Sequence, residues 1–218
     1  MRVVVLEDEP LYCDLLAKAL AQYAGMAVVG TFDNGRACLE AAVALRPDVA
    51  LIDIELPGGM NGIEVGLSLR RHLSDLGIVL LSNHRDPAFL SSLRRGRVAG
   101  WSYLQKKNVS NVDALKRAID GAAAGFVVLD HQLVADAVPK EDSPLAGLTP
   151  RQINILELMA QGYTNAAIGE KLGLSVKTVE NHINALYQVL RVDRDAHYQP
   201  RVLAVLEYLA HTQYRLIG

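Results

Sequence analysis

Carboxylates, a hydroxyl and an ammonium stand in this chain wherever a short apolar run ends. Glu7 and Asp8 follow Val3-Val4-Val5-Leu6, Asp53 closes Val49-Ala50-Leu51-Ile52, Ser82 ends the run from Ile78, and Lys106 comes just after Trp101–Leu104. Carboxylates a few ångström apart raise one another's pKa, so Glu7, Asp8 and Asp53 gathered in one place need a cation or protons to coexist. A hard divalent ion that prefers oxygen and keeps some of its waters meets that need, and Mg²⁺ is the usual cellular choice. Carboxylates, metal, hydroxyl and ammonium together are the parts of a phosphoryl-transfer site.

The elements that must position these groups follow from the pattern of the first 125 residues. Short apolar runs alternate there with amphipathic stretches, as in repeated βα units on a parallel sheet. Strands are expected at Arg2 to Leu6, Ala27 to Gly30, Val49 to Asp53, Ile78 to Ser82 and Trp101 to Leu104. Between them Leu11, Leu15, Leu16, Ala19 and Leu20 follow helical spacing, as do Val112, Leu115 and Ile119, with Ser110 and Asp113 as a helix start. The expected architecture is α/β, a doubly wound five-stranded parallel sheet. Chemistry on such a sheet sits outside the carboxyl ends of the strands. Strands one and three can be neighbours, which would bring Glu7, Asp8 and Asp53 into one acidic cluster.

A length of 218 residues suits two unequal domains, and with half the residues apolar each can bury a core. No apolar run approaches the roughly 18 to 20 residues that cross a bilayer, so no signal peptide, anchor or membrane association is expected. Cys13 and Cys38 form no CxxC pattern and read as helix-packing residues of a cytoplasmic protein. The formal charge of −2 excludes a protein that holds nucleic acid by bulk electrostatics alone.

Residues 126–147 form the expected linker region: Phe126 to Val138 is apolar enough to pack, whereas Pro139 to Gly147 is proline-containing, charged and aperiodic. Beyond it, everything periodic is helical, so residues 148–218 should make a small all-α domain. Thr149 and Gln152 form a capping box with Pro150 at the first helical position, and Ile153, Leu156 and Ala160 share a face before Gly162. Thr164 caps a second helix, Gly173 makes a turn, and Ser175 caps a third, which is the helix-turn-helix that reads DNA. On that third helix Val179, Ile183, Leu186 and Leu190 should be buried, leaving Lys177, Asn181, Asn184 and Gln188 on a polar stripe beside Glu180. Amides suit adenine edges and a carboxylate suits the cytosine amino group. Thr178, His182 and the helix N-terminus suit phosphates. The last helix carries Val202, Leu203, Val205, Leu206 and Leu209, which serve either a dimer contact or the closing of the small core.

Taken together, VVLEDEP, PDVALIDIELPGGMNGIE, IVLLS and SYLQK resemble the receiver domain of two-component response regulators, a flavodoxin-like fold, over residues 1–125. The resemblance implies that Asp53 accepts a phosphoryl group from a sensor histidine kinase. Asp8, Asp53 and the backbone carbonyl of Glu55 would hold Mg²⁺ with help from Glu7. Lys106 would pair with phosphoryl oxygens, Ser82 would hydrogen-bond one of them, and Tyr103 would rotate inward. Likewise LTPRQ, AQG, TNAAIGEKL and LSVKTVENHI resemble the LuxR-type domain of the NarL/FixJ class. The implied protein is a DNA-binding transcription regulator rather than an enzyme, binding double-stranded DNA as a homodimer, at least when phosphorylated. An aspartyl-phosphate phosphatase is the competing class, but Glu7-Asp8-Glu9 is not its DxD motif.

Departures from these patterns are an extra glycine in LPGGMNG, a long RRGRVAGWSYLQK, Asn83 in place of a smaller residue, Gln152 for a frequent glutamate, Glu180 for a frequent lysine, and a polar insertion around Ala196 to Pro200. From Leu148 onward seven basic residues face six acidic ones. A single near-neutral domain should bind DNA weakly, with affinity gained by dimerisation on paired half-sites.

Overall fold

The computed structural model describes residues 1–83, 99–109, 112–192 and 199–214. Ser110 as a helix cap, much of the stretch before Trp101 and most of the insertion at 196–200 lie outside them. Two compact units are present, one built on Met1–Asp86 and Gly100–Gly125, the other on Phe126–Gly218.

The first unit runs β1 (Arg2–Leu6), α1 (Pro10–Ala21), β2 (Ala27–Phe32), α2 (Gly35–Leu45), β3 (Val49–Asp53), α3 (Gly62–His72), β4 (Gly77–Ser82), β5 (Trp101–Gln105) and α4 (Val112–Ala123). The five expected strands are all there, with β2, β4 and β5 slightly longer than predicted. They lie parallel in the order β2-β1-β3-β4-β5. Strands β3, β4 and β5 are buried along their whole length, which is why they read as unbroken apolar runs instead of alternating ones. In register, Leu6 faces Ile52, Asp53 faces Leu81 and Ser82 faces Gln105. Strand ends one, three, four and five thus open on the same edge.

Helix α1 buries Cys13, Leu16 and Leu20, while Leu11 and Leu15 are 69% and 55% exposed. At 100° per residue, those two leucines fall opposite the buried stripe, so not every apolar residue at helical spacing belongs to the core. Cys13 and Cys38 are both buried in helices, as expected for packing residues.

Helix α3 starts at a capping box in which the Asn61 side chain accepts from Glu64 N and the Glu64 carboxylate accepts from Asn61 N. Its first residue, Gly62, lies so close to the end of β3 that a Cβ there would stand 2.0 Å from the carbonyl oxygen of Asp53. Only glycine lets the helix begin against the backbone that carries the aspartate.

The second unit begins with a two-residue strand, β6 (Val128–Leu129), then α5 (His131–Ala135), capped by Asp130 through Gln132 N, and β7 (Ala137–Pro139). Four helices follow: α6 (Pro150–Ala160), α7 (Asn165–Leu172), α8 (Val176–Val189) and α9 (Pro200–His211). The expectation that strands end with the first half is corrected here. Besides β6, β7 pairs antiparallel with β8 (Thr212–Tyr214), with Val138 opposite Gln213, and Lys140 N donates to His211 O at 2.9 Å. Backbone hydrogen bonding to the distant C-terminal residues, rather than side-chain periodicity, orders this proline-containing stretch.

Thr149 and Gln152 form the expected capping box. The buried face of α6 is Ile155, Leu156, Met159 and Ala160, and Ile153 is only half-buried. Helix α9 turns Val202, Ala204, Val205, Tyr208 and Leu209 into the core of this unit, and the Tyr208 hydroxyl donates to Val134 O.

Gly62→Ala tests the contact between α3 and β3. Thermal and urea unfolding of the full chain should show a loss of at least about 2 kcal/mol, because the added methyl must displace backbone.

Candidate functional site

One backbone bond beyond each strand fixes the two central carboxylates. Glu7 N donates to Phe32 O and Ile54 N to Leu81 O, both at 2.9 Å, so the sheet ladder continues past the ends of β1 and β3. Glu7 and Asp53 are each only 2% exposed. One carboxylate oxygen from each of Glu7, Asp8 and Asp53 lies within 4.8 Å of the others, with Asp8 the most accessible.

Lys106 opens a short 3₁₀ turn, Lys106–Asn108, directly after β5. Its Nζ donates to Asp53 Oδ2 at 2.8 Å and to Glu7 Oε1 at 2.9 Å. Asp53 Oδ1 accepts from Glu55 N at 3.1 Å. Glu7 Oε2 is buried with no hydrogen-bond partner among the described residues.

Burial pushes the Glu7 and Asp53 carboxyls above their usual range, against the opposing pull of the Lys106 hydrogen bond. Burial works in the other direction on Lys106, yet its hydrogen bonds to Asp53 and Glu7 win and hold the ammonium above the ordinary lysine value. The carboxyls rise because burial outweighs the one ammonium they share, and Lys106 rises because it has two carboxylates to bond. When ionised, the three carboxylates outnumber the one ammonium bonded among them. That imbalance and an orphaned buried oxygen fit a hard divalent cation.

One residue, Tyr12, and one side-chain role, that of Glu55, escaped prediction. Tyr12 lies in the first turn of α1; its hydroxyl donates to Lys106 O at 3.3 Å and its ring centroid is 5.0 Å from Lys106 Nζ. Burial first, then the charges of Glu7, Asp53 and Glu9, push its hydroxyl pKa up. Glu55, expected only for its carbonyl, also offers its carboxylate to Ser82 Oγ at 2.8 Å and to Asn83 N and Nδ2, both at 3.1 Å. Burial opposes ionisation of Glu55, but these donors prevail and its pKa falls below the ordinary value. Tyr103 is buried in β5 opposite Leu80, its ring already inside the unit.

In the second unit, α7 ends at Gly173 with φ of 66°, a left-handed turn that suits glycine. Ser175 then caps α8, its Oγ accepting from Thr178 N at 3.1 Å. Val179, Ile183 and Leu186 are buried, and Leu190 with them. Lys177, Asn181, Asn184 and Gln188 are exposed, and Thr178, Glu180 and His182 are half-buried. Lys177 Nζ is 3.7 Å from a Glu180 carboxylate oxygen. The polar stripe thus stands on one helix face, carrying its own ion pair.

The family model described as response regulator receiver domain matches residues 3–120, and that of bacterial regulatory proteins, luxR family, matches residues 146–198. The chain belongs to the NarL/FixJ class of two-component response regulators, with a receiver domain and a LuxR-type DNA-binding domain. The probable transcriptional regulatory protein NarL of Mycobacterium tuberculosis is 32% identical over 200 residues, covering 90% of this chain and 91% of that one. The nitrate/nitrite response regulator protein NarL of Escherichia coli K12 is 31% identical over 199 residues, covering 87% and 89%. In fold the chain is similar to the RcsB response regulator of Salmonella typhimurium, with a TM-score of 0.50 and 24% identity over 96% of this chain and 98% of that one.

The raised carboxyls set a pH dependence. The folded chain keeps protons on Glu7 and Asp53 that the unfolded chain has lost. Their contribution to stability therefore falls as pH rises from the ordinary carboxylate range, about 4, through the raised values. With a chelator present at neutral pH, Asp53→Asn should melt higher than the wild type. The gap should narrow as pH is lowered toward about 4; scanning calorimetry across pH checks it.

Proposed function

We propose that Asp53 is the phosphoacceptor of this regulator, loaded by a partner sensor histidine kinase, and that its phosphorylation promotes homodimerisation and sequence-specific binding of double-stranded DNA by α8. The observation that carries this reading is the Lys106 ammonium held between Asp53 and Glu7 at the carboxyl edge of the sheet. Transfer breaks the P–N bond of the kinase phosphohistidine and forms a P–O bond to an Asp53 carboxylate oxygen; the imidazole nitrogen keeps the bonding pair and takes up a proton.

Glu7, Asp8, Asp53 and the Glu55 carbonyl would hold Mg²⁺, which when bound neutralises charge on the acceptor and the phosphoryl oxygens. The chain's own groups do the rest. Lys106 is 2.8 Å from the acceptor carboxylate and needs only a small shift to meet a phosphoryl oxygen. Glu55 N holds the acceptor's other oxygen and so fixes which lone pairs face the donor. Ser82 would hydrogen-bond a phosphoryl oxygen, and Tyr103, already buried in β5, would complete the switch. A phosphoryl group adds charge and acceptor oxygens, which biases these donors toward one arrangement.

At the DNA, Lys177, Glu180, Asn181, Asn184 and Gln188 would meet base edges, and Thr178 and His182 phosphates. The near-neutral charge of residues 148–218 supports weak binding by one copy and a gain from pairing on two half-sites. The protein would act in the cytoplasm, where kinase and DNA are both within reach.

Acetyl phosphate with Mg²⁺ should add one phosphoryl group, located to Asp53 by mass spectrometry and absent from Asp53→Asn; modification that persists in that variant overturns the assignment. On the DNA side, Asn181→Ala should weaken specific binding by about 1–3 kcal/mol and relax preference at one base pair. Lys177→Ala should likewise relax preference at the base pair it meets, a guanine being the natural partner of a lysine.

A further inference from the structure

Glu55 carries a carboxylate that neither the acceptor nor the ion-binding role uses, yet it is the most heavily bonded anion on its side of the site. Ser82 Oγ, Asn83 N and Asn83 Nδ2 all donate to it, at 2.8, 3.1 and 3.1 Å. These donors come from the end of β4, the neighbour of β3. Meanwhile the Glu55 backbone N–H clamps Asp53 Oδ1 at 3.1 Å. One residue thus touches the acceptor through its main chain and the responding hydroxyl through its side chain.

Hydrogen bonds to an ionised acceptor are short and strong compared with neutral ones. A phosphoryl group on Asp53 would offer the same kind of anionic oxygens to the same donors. Ser82 has one hydroxyl hydrogen, so it cannot donate to both anions at once. Repulsion between the phosphoryl group and Glu55 adds to the conflict.

We propose that the Glu55 carboxylate is an internal competitor for the phosphoryl group, occupying Ser82 and Asn83 until a phosphoryl group on Asp53 takes the hydroxyl from it. It acts through Ser82 and Asn83 and is a positioning residue. The Asn83 side chain strengthens the competitor by adding one donor, Nδ2, to the Ser82 hydroxyl and the Asn83 backbone N–H. The inference rests on Asp53 as acceptor.

The test uses the full chain as wild type, Glu55→Gln, Glu55→Ala and Asn83→Ala, with Mg²⁺ and acetyl phosphate below saturation. Phosphate-affinity electrophoresis gives the initial rate, and amide NMR follows Asn83. Both Glu55 variants should be phosphorylated faster, by roughly 3- to 10-fold, the size of one ordinary net hydrogen bond. Asn83→Ala should move the same way by less, since it keeps every carboxylate. The Asn83 amide proton should shift upfield in Glu55→Ala without phosphorylation, because the carboxylate that accepts from it is gone.

Equal rates, or an Asn83 resonance indifferent to Glu55→Ala, overturn the competitor role. Slower phosphorylation of Glu55→Gln and Glu55→Ala makes the side chain a helper of the ion and overturns it as well. Failure of the wild type to take up any phosphoryl group overturns the acceptor assignment and this inference with it, whereas uptake at equal rates overturns the competitor alone.

Discussion

The ammonium of Lys106, shared between Asp53 and Glu7 in a place almost closed to water, is the interaction on which the first unit is organised. Burying carboxylates costs free energy unless they are paired, and here one cation serves two buried anions with a third beside them. That shortfall is tolerable because the strand order puts β1 beside β3 and because Gly62 lets α3 start against the Asp53 carbonyl. The parallel sheet supplies rigidity, and the unbalanced charge at its edge supplies chemistry. A site with a missing positive charge is one whose energy changes most when an ion or a phosphoryl group arrives.

The second unit answers a different requirement. Its core is conventional, with Val179, Ile183 and Leu186 facing inward from α8 and Val202, Val205 and Leu209 from α9. The exposed face of α8 is amide-rich, and its one lysine already has an anion, Glu180, 3.7 Å away. A helix that pairs its own charge gives up part of the sequence-independent attraction to phosphates. Weak binding by one copy is what a switch acting through dimerisation requires.

Much of this was legible in the amino-acid sequence because it rests on local rules. Capping residues Thr149, Thr164 and Ser175 act within one helical turn, and the buried strands announce themselves as apolar runs ending in Asp53, Ser82 or Glu7. What stayed hidden depends on contacts between distant residues. The Glu55 carboxylate meets Ser82 and Asn83 only because β3 and β4 are neighbours, and β7 finds β8 across more than seventy residues. Leu11 and Leu15 misled in the opposite sense, since spacing on α1 does not say which side of the helix meets the sheet. Tyr12 sat in plain view in the first turn of α1, but its relevance depends on where Lys106 arrives from β5.

The central claim is that a chemical event at Asp53 is felt at α8 through pairing of two copies. The most direct measurement is the affinity of the full chain for an operator with two half-sites and for one with a single half-site, before and after phosphorylation, at one salt concentration, alongside Asp53→Asn. Phosphorylation should tighten binding to the paired site by at least about tenfold, the gain expected from linking two weak contacts, and leave the single half-site and the variant nearly unchanged. Equal affinity for the paired site with and without phosphorylation would contradict the central claim.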